Sequence, residues 1–121
     1  MCSPTEGPRL VFLAVLPGGP AVTCLDASPP DGGTCIRPVP DPHPFAEVNQ
    51  IFTDIAAERG EVVGVVDLID AVCPGGGQCP LMIDGTVVRY DGGHFTGTWS
   101  QSLAPVLEQR FNELGVDLDA L

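Results

Sequence analysis

Lysine is missing altogether: the five cationic side chains of this 121-residue chain are scattered arginines, set against 16 acidic residues for a net charge of −11. Without a cationic cluster there is nothing to displace counterions from a phosphate backbone, so neither nucleic acid nor an anionic membrane surface is an expected partner. Long apolar runs are missing too. The longest, Leu10–Leu16, has seven residues, whereas a bilayer-spanning helix needs about twenty, so no membrane insertion by this chain is expected. Nor does that run read as the core of a signal peptide, because Glu6 and a single Arg9 precede it and Pro17-Gly18-Gly19-Pro20 follows at once. Aromatic residues are scarce at 6%, yet 44% hydrophobic and only 17% charged residues exclude a wholly disordered chain. The length allows one domain with a modest core.

What the chain does have is five cysteines. Cys24 and Cys35 bracket a loop rich in Pro, Gly and Asp, and Cys73 and Cys79 bracket Pro-Gly-Gly-Gly-Gln. Both spacings suit local disulfides, which imply oxidising surroundings. Zinc is the competing reading, with Cys73, Cys79 and His94 as three ligands. The five-residue gap is wider than the usual spacing, and no second close Cys/His pair completes a set. No metal and no cofactor are therefore expected. Cys2 is left over without an assigned role.

Arg9–Leu16 is a continuous apolar run bounded by turn residues, the pattern of a parallel strand covered on both faces. The following stretch, Pro17–Pro44, is crowded with proline and glycine and shows neither helical nor strand periodicity, so it reads as a long loop stapled by Cys24–Cys35. Phe45, Val48, Phe52 and Ile55 fall on one face of a helix over Phe45–Arg59, closed by Gly60. A second short strand, Glu61–Val66, comes next. Strand, helix, strand in that order predicts an α/β fold with a right-handed parallel crossover. Leu81–Tyr90 reads as a hairpin around Asp84-Gly85. Thr98 and Gln101 form a capping-box pattern ahead of a final helix whose apolar spacing runs to Gly115, with Pro105 expected to kink it or to mark its first turn. No internal repeat is visible.

Two histidines are present. His43 is boxed between prolines and reads as a loop residue. His94 stands three residues after Asp91, across Gly92-Gly93. The two glycines free the backbone to fold the carboxylate of Asp91 back onto one ring nitrogen, fixing the tautomer and presenting the other nitrogen. A pair so arranged is the proton-handling half of a nucleophilic triad.

The stretch Arg89–Leu107, RYDGGHFTGTWSQSLAPVL, resembles the last catalytic block of the SGNH, or GDSL-like, hydrolases. The resemblance extends in particular to the extracytoplasmic SGNH domain at the C-terminus of bacterial acyltransferase-3 type membrane proteins that O-acylate cell-surface polysaccharide. Phe45-Ala46-Glu47-Val48-Asn49, Val65-Val66-Asp67-Leu68, Cys73-Pro74 with a second Cys nearby, and Leu103-Ala104-Pro105 are also similar to that family. It implies the C-terminal part of a flavodoxin-like three-layer α/β/α domain, an acyl ester or acylated glycan as substrate, and an extracytoplasmic location, either secreted or held there by upstream membrane helices. The membrane acyltransferase segment of the same gene product is an implied partner. In the implied mechanism a serine attacks the acyl carbonyl, His94 moves its proton and Asp91 orients the ring.

That serine is not found. The family's Gly-Asp-Ser block and its Gly and Gly-x-Asn oxyanion blocks are absent from the sequence. Ser3, Ser28, Ser100 and Ser102 do not follow a strand in a Gly-flanked turn, and the last two read as capping or solvated helix residues. Asn49 reads as a helix-packing residue, and Asp67 and Asp70 as loop caps. The chain is thus expected to carry Asp91 and His94 but no nucleophile, as part of a longer gene product and inactive alone. The alternatives are a degenerate relative that binds acylated glycan and a secreted disulfide-stapled binding module.

Overall fold

A computed structural model describes residues 7–26, 35–74 and 77–117, which group into two compact units. The first unit draws on the described parts of Met1–Leu16, Phe45–Leu68 and Ala104–Leu121. Strands β1 (Leu10–Leu13) and β3 (Val63–Val66) pair in parallel, with Leu10 opposite Val63 and Leu13 opposite Val66. Helix α1 (Ala46–Glu58) lies between them in sequence, as the apolar periodicity requires. Phe12 of β1 and Phe52 of α1 stack with ring centroids 4.4 Å apart and planes 9° from parallel. Strand β3 is largely buried, with Val63 and Val66 sealed off.

The expectation that the first strand is covered on both faces is corrected. Leu10 and Leu13 are each about half exposed, at 50% and 51%, because β1 and β3 are the only members of this sheet among the described residues. Gly60 is not the glycine cap expected of α1. The helix closes instead at Arg59, whose carbonyl accepts from both Val62 and Val63 and turns the chain into β3. Helix α3 (Gly97–Glu113) does end as its sequence suggests. Gly115 takes φ +85°, Gly115 N–H donates to Asn112 O and Val116 N–H to Phe111 O, which together form a Schellman closure.

The second unit draws on the described parts of Pro17–Pro44 and Ile69–Leu103. The region read as a structureless loop contains a 3-10 turn, Val22–Asp26, and strand β2 (Ile36–Pro38), which pairs antiparallel with β4 (Gln78–Pro80). Neither strand has a periodicity of its own. Beside them Cys24–Cys35 and Cys73–Cys79 are both disulfides, each closing a loop within its own segment, and three of the four half-cystines are buried. Each bridge closes a short loop and contributes about 2–3 kcal/mol by restricting the unfolded chain. The expected hairpin forms from β5 (Met82–Ile83) and β6 (Thr86–Val87), with Asp84 at φ 49° and Gly85 at φ 79°, the left-handed pair that a two-residue type I′ turn demands. Helix α2 (Ile69–Val72) is a single turn. Val72, Leu81, Val88 and the two disulfides form the unit's core.

The capping box placed at Thr98 is also corrected. The side chain of Thr96 accepts from Trp99 N–H at 3.1 Å and donates to Val87 O, so the N-cap lies two residues earlier. Pro105 sits well inside α3 rather than in its first turn.

Candidate active site

Asp91 and His94 occupy a loop closed by a β-bridge between Arg89 and Phe95, with Tyr90 N–H donating to His94 O. The diglycine between them uses its freedom once: Gly92 takes φ +87°, a conformation costly for any residue with a Cβ. The chain then curls around the carboxylate of Asp91. Its Oδ1 accepts from Gly93 N–H at 2.9 Å and His94 N–H at 2.7 Å, while Oδ2 lies 2.7 Å from His94 Nδ1. Those contacts hold the Asp91 carboxyl down at about 2, the backbone amides of Gly93 and His94 first and the imidazole next.

The tautomer follows from that. An ionised Asp91 has only lone pairs to offer, so in the neutral imidazole Nδ1 carries the proton and Nε2 keeps its lone pair. Nε2 makes no hydrogen bond among the described residues, and the imidazole is 74% exposed. An oriented imidazole with a free basic nitrogen is competent to take a proton from a hydroxyl and to return it. The ring of Tyr90 stacks on it, with centroids 5.8 Å apart and planes 18° from parallel.

A second segment braces this loop. Gly19 N–H donates to Gly92 O, Val22 N–H donates to Tyr90 O, and Ala21 bridges Asp91. Arg89, only 1% exposed, donates from Nη2 to Pro17 O and lies over the ring of Phe95 at 5.0 Å. Tyr90, Arg89 and Gly18-Gly19 were not singled out from sequence.

The remaining candidates separate clearly. Cys73 and Cys79 are bonded to each other and supply no thiolate for zinc, and no group of three or more His, Cys, Asp or Glu side chains among the described residues is placed to hold a metal. Ser102 donates to Thr98 O within α3, and Ser100 is exposed on the same helix. Ser3 and Ser28, like Cys2, lie outside the described residues. Asn49 does more than pack: its Oδ1 accepts from Val15 N–H at 2.7 Å and its Nδ2 donates to Val15 O at 3.0 Å, so the amide mimics a neighbouring strand. The carbonyl of Asp67 accepts from Arg110.

No described helix is long and apolar enough to cross a membrane, and two disulfides suit an oxidising setting outside the cytoplasm. Residues 5–109 match a family model described as the SGNH domain fused to AT3 domains. No curated protein and no solved structure matches the chain.

Proposed function

The chain belongs to the SGNH domain family found fused to acyltransferase-3 domains, and on that premise we propose that it supplies the proton-handling half of an acyl-ester hydrolase or O-acyltransferase centre at the extracytoplasmic face of the membrane. The observation that carries this reading is the 2.7 Å contact between His94 Nδ1 and a carboxylate already saturated by two backbone amides. Asp91 cannot rotate away without giving up those amides, so the imidazole is held in one tautomer before any substrate arrives. A serine from a Gly-Asp-Ser block, borne by another segment of the gene product, attacks the acyl carbonyl. His94 Nε2 takes its proton, Asp91 stabilises the imidazolium, and the proton passes to the leaving alcohol. Acyl transfer to a sugar hydroxyl reverses the sequence. An acylated cell-surface glycan is the substrate class, and the membrane acyltransferase segment is the partner.

The test has two arms. The 121-residue chain alone should hydrolyse p-nitrophenyl acetate no faster than buffer. In an intact homologue that carries the serine block, replacing the histidine equivalent to His94 by Ala should cost at least about 10⁴-fold in kcat, and Asp91→Asn at its equivalent should cost about as much by favouring the wrong tautomer. Retention of wild-type turnover in the histidine variant refutes the assignment. The second reading, a binding module without turnover, draws support from the absent nucleophile and prevails if that homologue's activity is indifferent to both substitutions.

A further inference from the structure

Two of the five arginines converge on one diglycine. A Cβ on Gly18 would lie 3.4 Å from Arg37 Nη1 and 3.1 Å from Gly92 O, and one on Gly19 would collide with Arg89 Nη1. Glycine at both positions therefore leaves room for the two guanidinium heads, and the same diglycine lies against Gly92 of the loop that carries Asp91 and His94. Arg37 is exposed on β2, whereas Arg89 is buried.

Their charges are not neutralised. Arg89 spends one nitrogen on Pro17 O, and its Nη1 is buried with no hydrogen-bond partner. Among the described residues neither arginine forms an ion pair with a carboxylate. The nearby Asp91 has both oxygens committed to Gly93 and His94. Burial first, and then the positive charge of Arg37, pull the Arg89 pKa down. A buried, incompletely bonded cation facing a second cation is unfavourable until a negative group compensates it.

We propose that Arg37, in the field of the buried Arg89, binds an oxyanion, a carboxylate or phosphate group, on the molecule that Asp91 and His94 act upon. The planar guanidinium fork of Arg37 takes two oxygens of such a group, and the buried charge behind it strengthens the attraction without competing for the same oxygens. The acceptor or donor glycan would then be an acidic one, bearing a uronic acid carboxylate or a phosphodiester. The link to a reacting molecule rests on the acyl-transfer reading of Asp91 and His94; the anion site itself does not.

The experiment is a titration of the ¹⁵N-labelled chain, at fixed ionic strength, with galacturonate, with galactose and with inorganic phosphate. Saturable amide shifts at Gly18, Gly19 and Gly92 are expected with galacturonate and none with galactose. In Arg37→Gln, whose exposed position on β2 leaves the core untouched, binding should weaken at least ten-fold, and Arg37→Lys should restore only part of it. Shifts with phosphate but not galacturonate also support the site and identify the group as phosphoryl. If neither anion shifts these glycines, if chloride at the same ionic strength does so equally well, or if Arg37→Gln titrates as the parent does, the proposal is overturned. Because no turnover enters this measurement, its failure leaves the Asp91–His94 assignment to be judged by the esterase test alone.

Discussion

At the scale of single residues, Asp91 is the organising group. A free aspartate in an exposed loop would sample many rotamers, but this one accepts two backbone amides and an imidazole within three residues of sequence. Its carboxyl titrates at about 2, below the ordinary 3.8, so the loop's order is retained above the ordinary value and lost as pH falls toward 2. A carboxyl ¹³C titration should place the Asp91 midpoint near 2, and Asp91→Asn should loosen the amide protection of Gly93 and His94 at neutral pH. An Asp91 midpoint near 4 would contradict the geometry. His94 and Asp91 were both legible in the sequence because a contact between residues three apart depends on local backbone freedom, which Gly92 advertises. The roles of Arg89 and Tyr90 were not, since an arginine in a hairpin carries no sequence mark of being buried.

At the scale of elements, two side chains tie secondary structures together. The amide of Asn49 on α1 bonds both polar groups of Val15, where the run that begins in β1 ends. Truncation to Ala strands an N–H and a C=O that are partly buried, at a cost of about 1–3 kcal/mol, readable as a lowered urea midpoint with an unchanged m-value. Asn49→Asp should be at least as harmful, because a carboxylate cannot donate to Val15 O. Thr96 caps α3 and also reaches Val87 O at the end of β6, so Thr96→Ala should cost about 1 kcal/mol or more. Thr98→Ala should be nearly neutral by comparison, which separates the observed cap from the one the S/T-x-x-E/Q pattern suggested. That pattern misled because Thr96 and Thr98 both precede the apolar run, and only the contact with Val87 selects between them.

At the scale of the whole molecule, the chain combines strong negative charge with incompletely covered apolar strands. In the first unit Leu10, Leu13 and Val62 remain 41–51% exposed beside a parallel pair, and parallel sheets are ordinarily covered on both faces. Such a strand recruits other chains. Concentration-dependent association is expected in analytical ultracentrifugation, rising with salt as the charge of −11 is screened. Leu13→Lys should reduce it. A monodisperse monomer with sharp, reversible thermal unfolding at all salt concentrations would count against this account.

The sequence by itself determined what short-range chemistry controls: the amphipathic helix over α1, the Asp84-Gly85 turn, the glycine closure after α3, the two local disulfides and the proximity of Asp91 to His94. Each depends on residues within about a dozen positions, where backbone preference and loop closure leave few choices. The tertiary structure alone decided that β2 finds β4, that Asn49 serves as a surrogate strand for Val15, and that Arg37, Arg89 and Gly18-Gly19 meet beside the Asp91 loop. Those meetings join residues 34 to 72 positions apart in the hydrogen-bonded cases, where no local propensity speaks. They are settled by which buried polar groups find partners and which apolar surfaces leave water once the whole chain has closed.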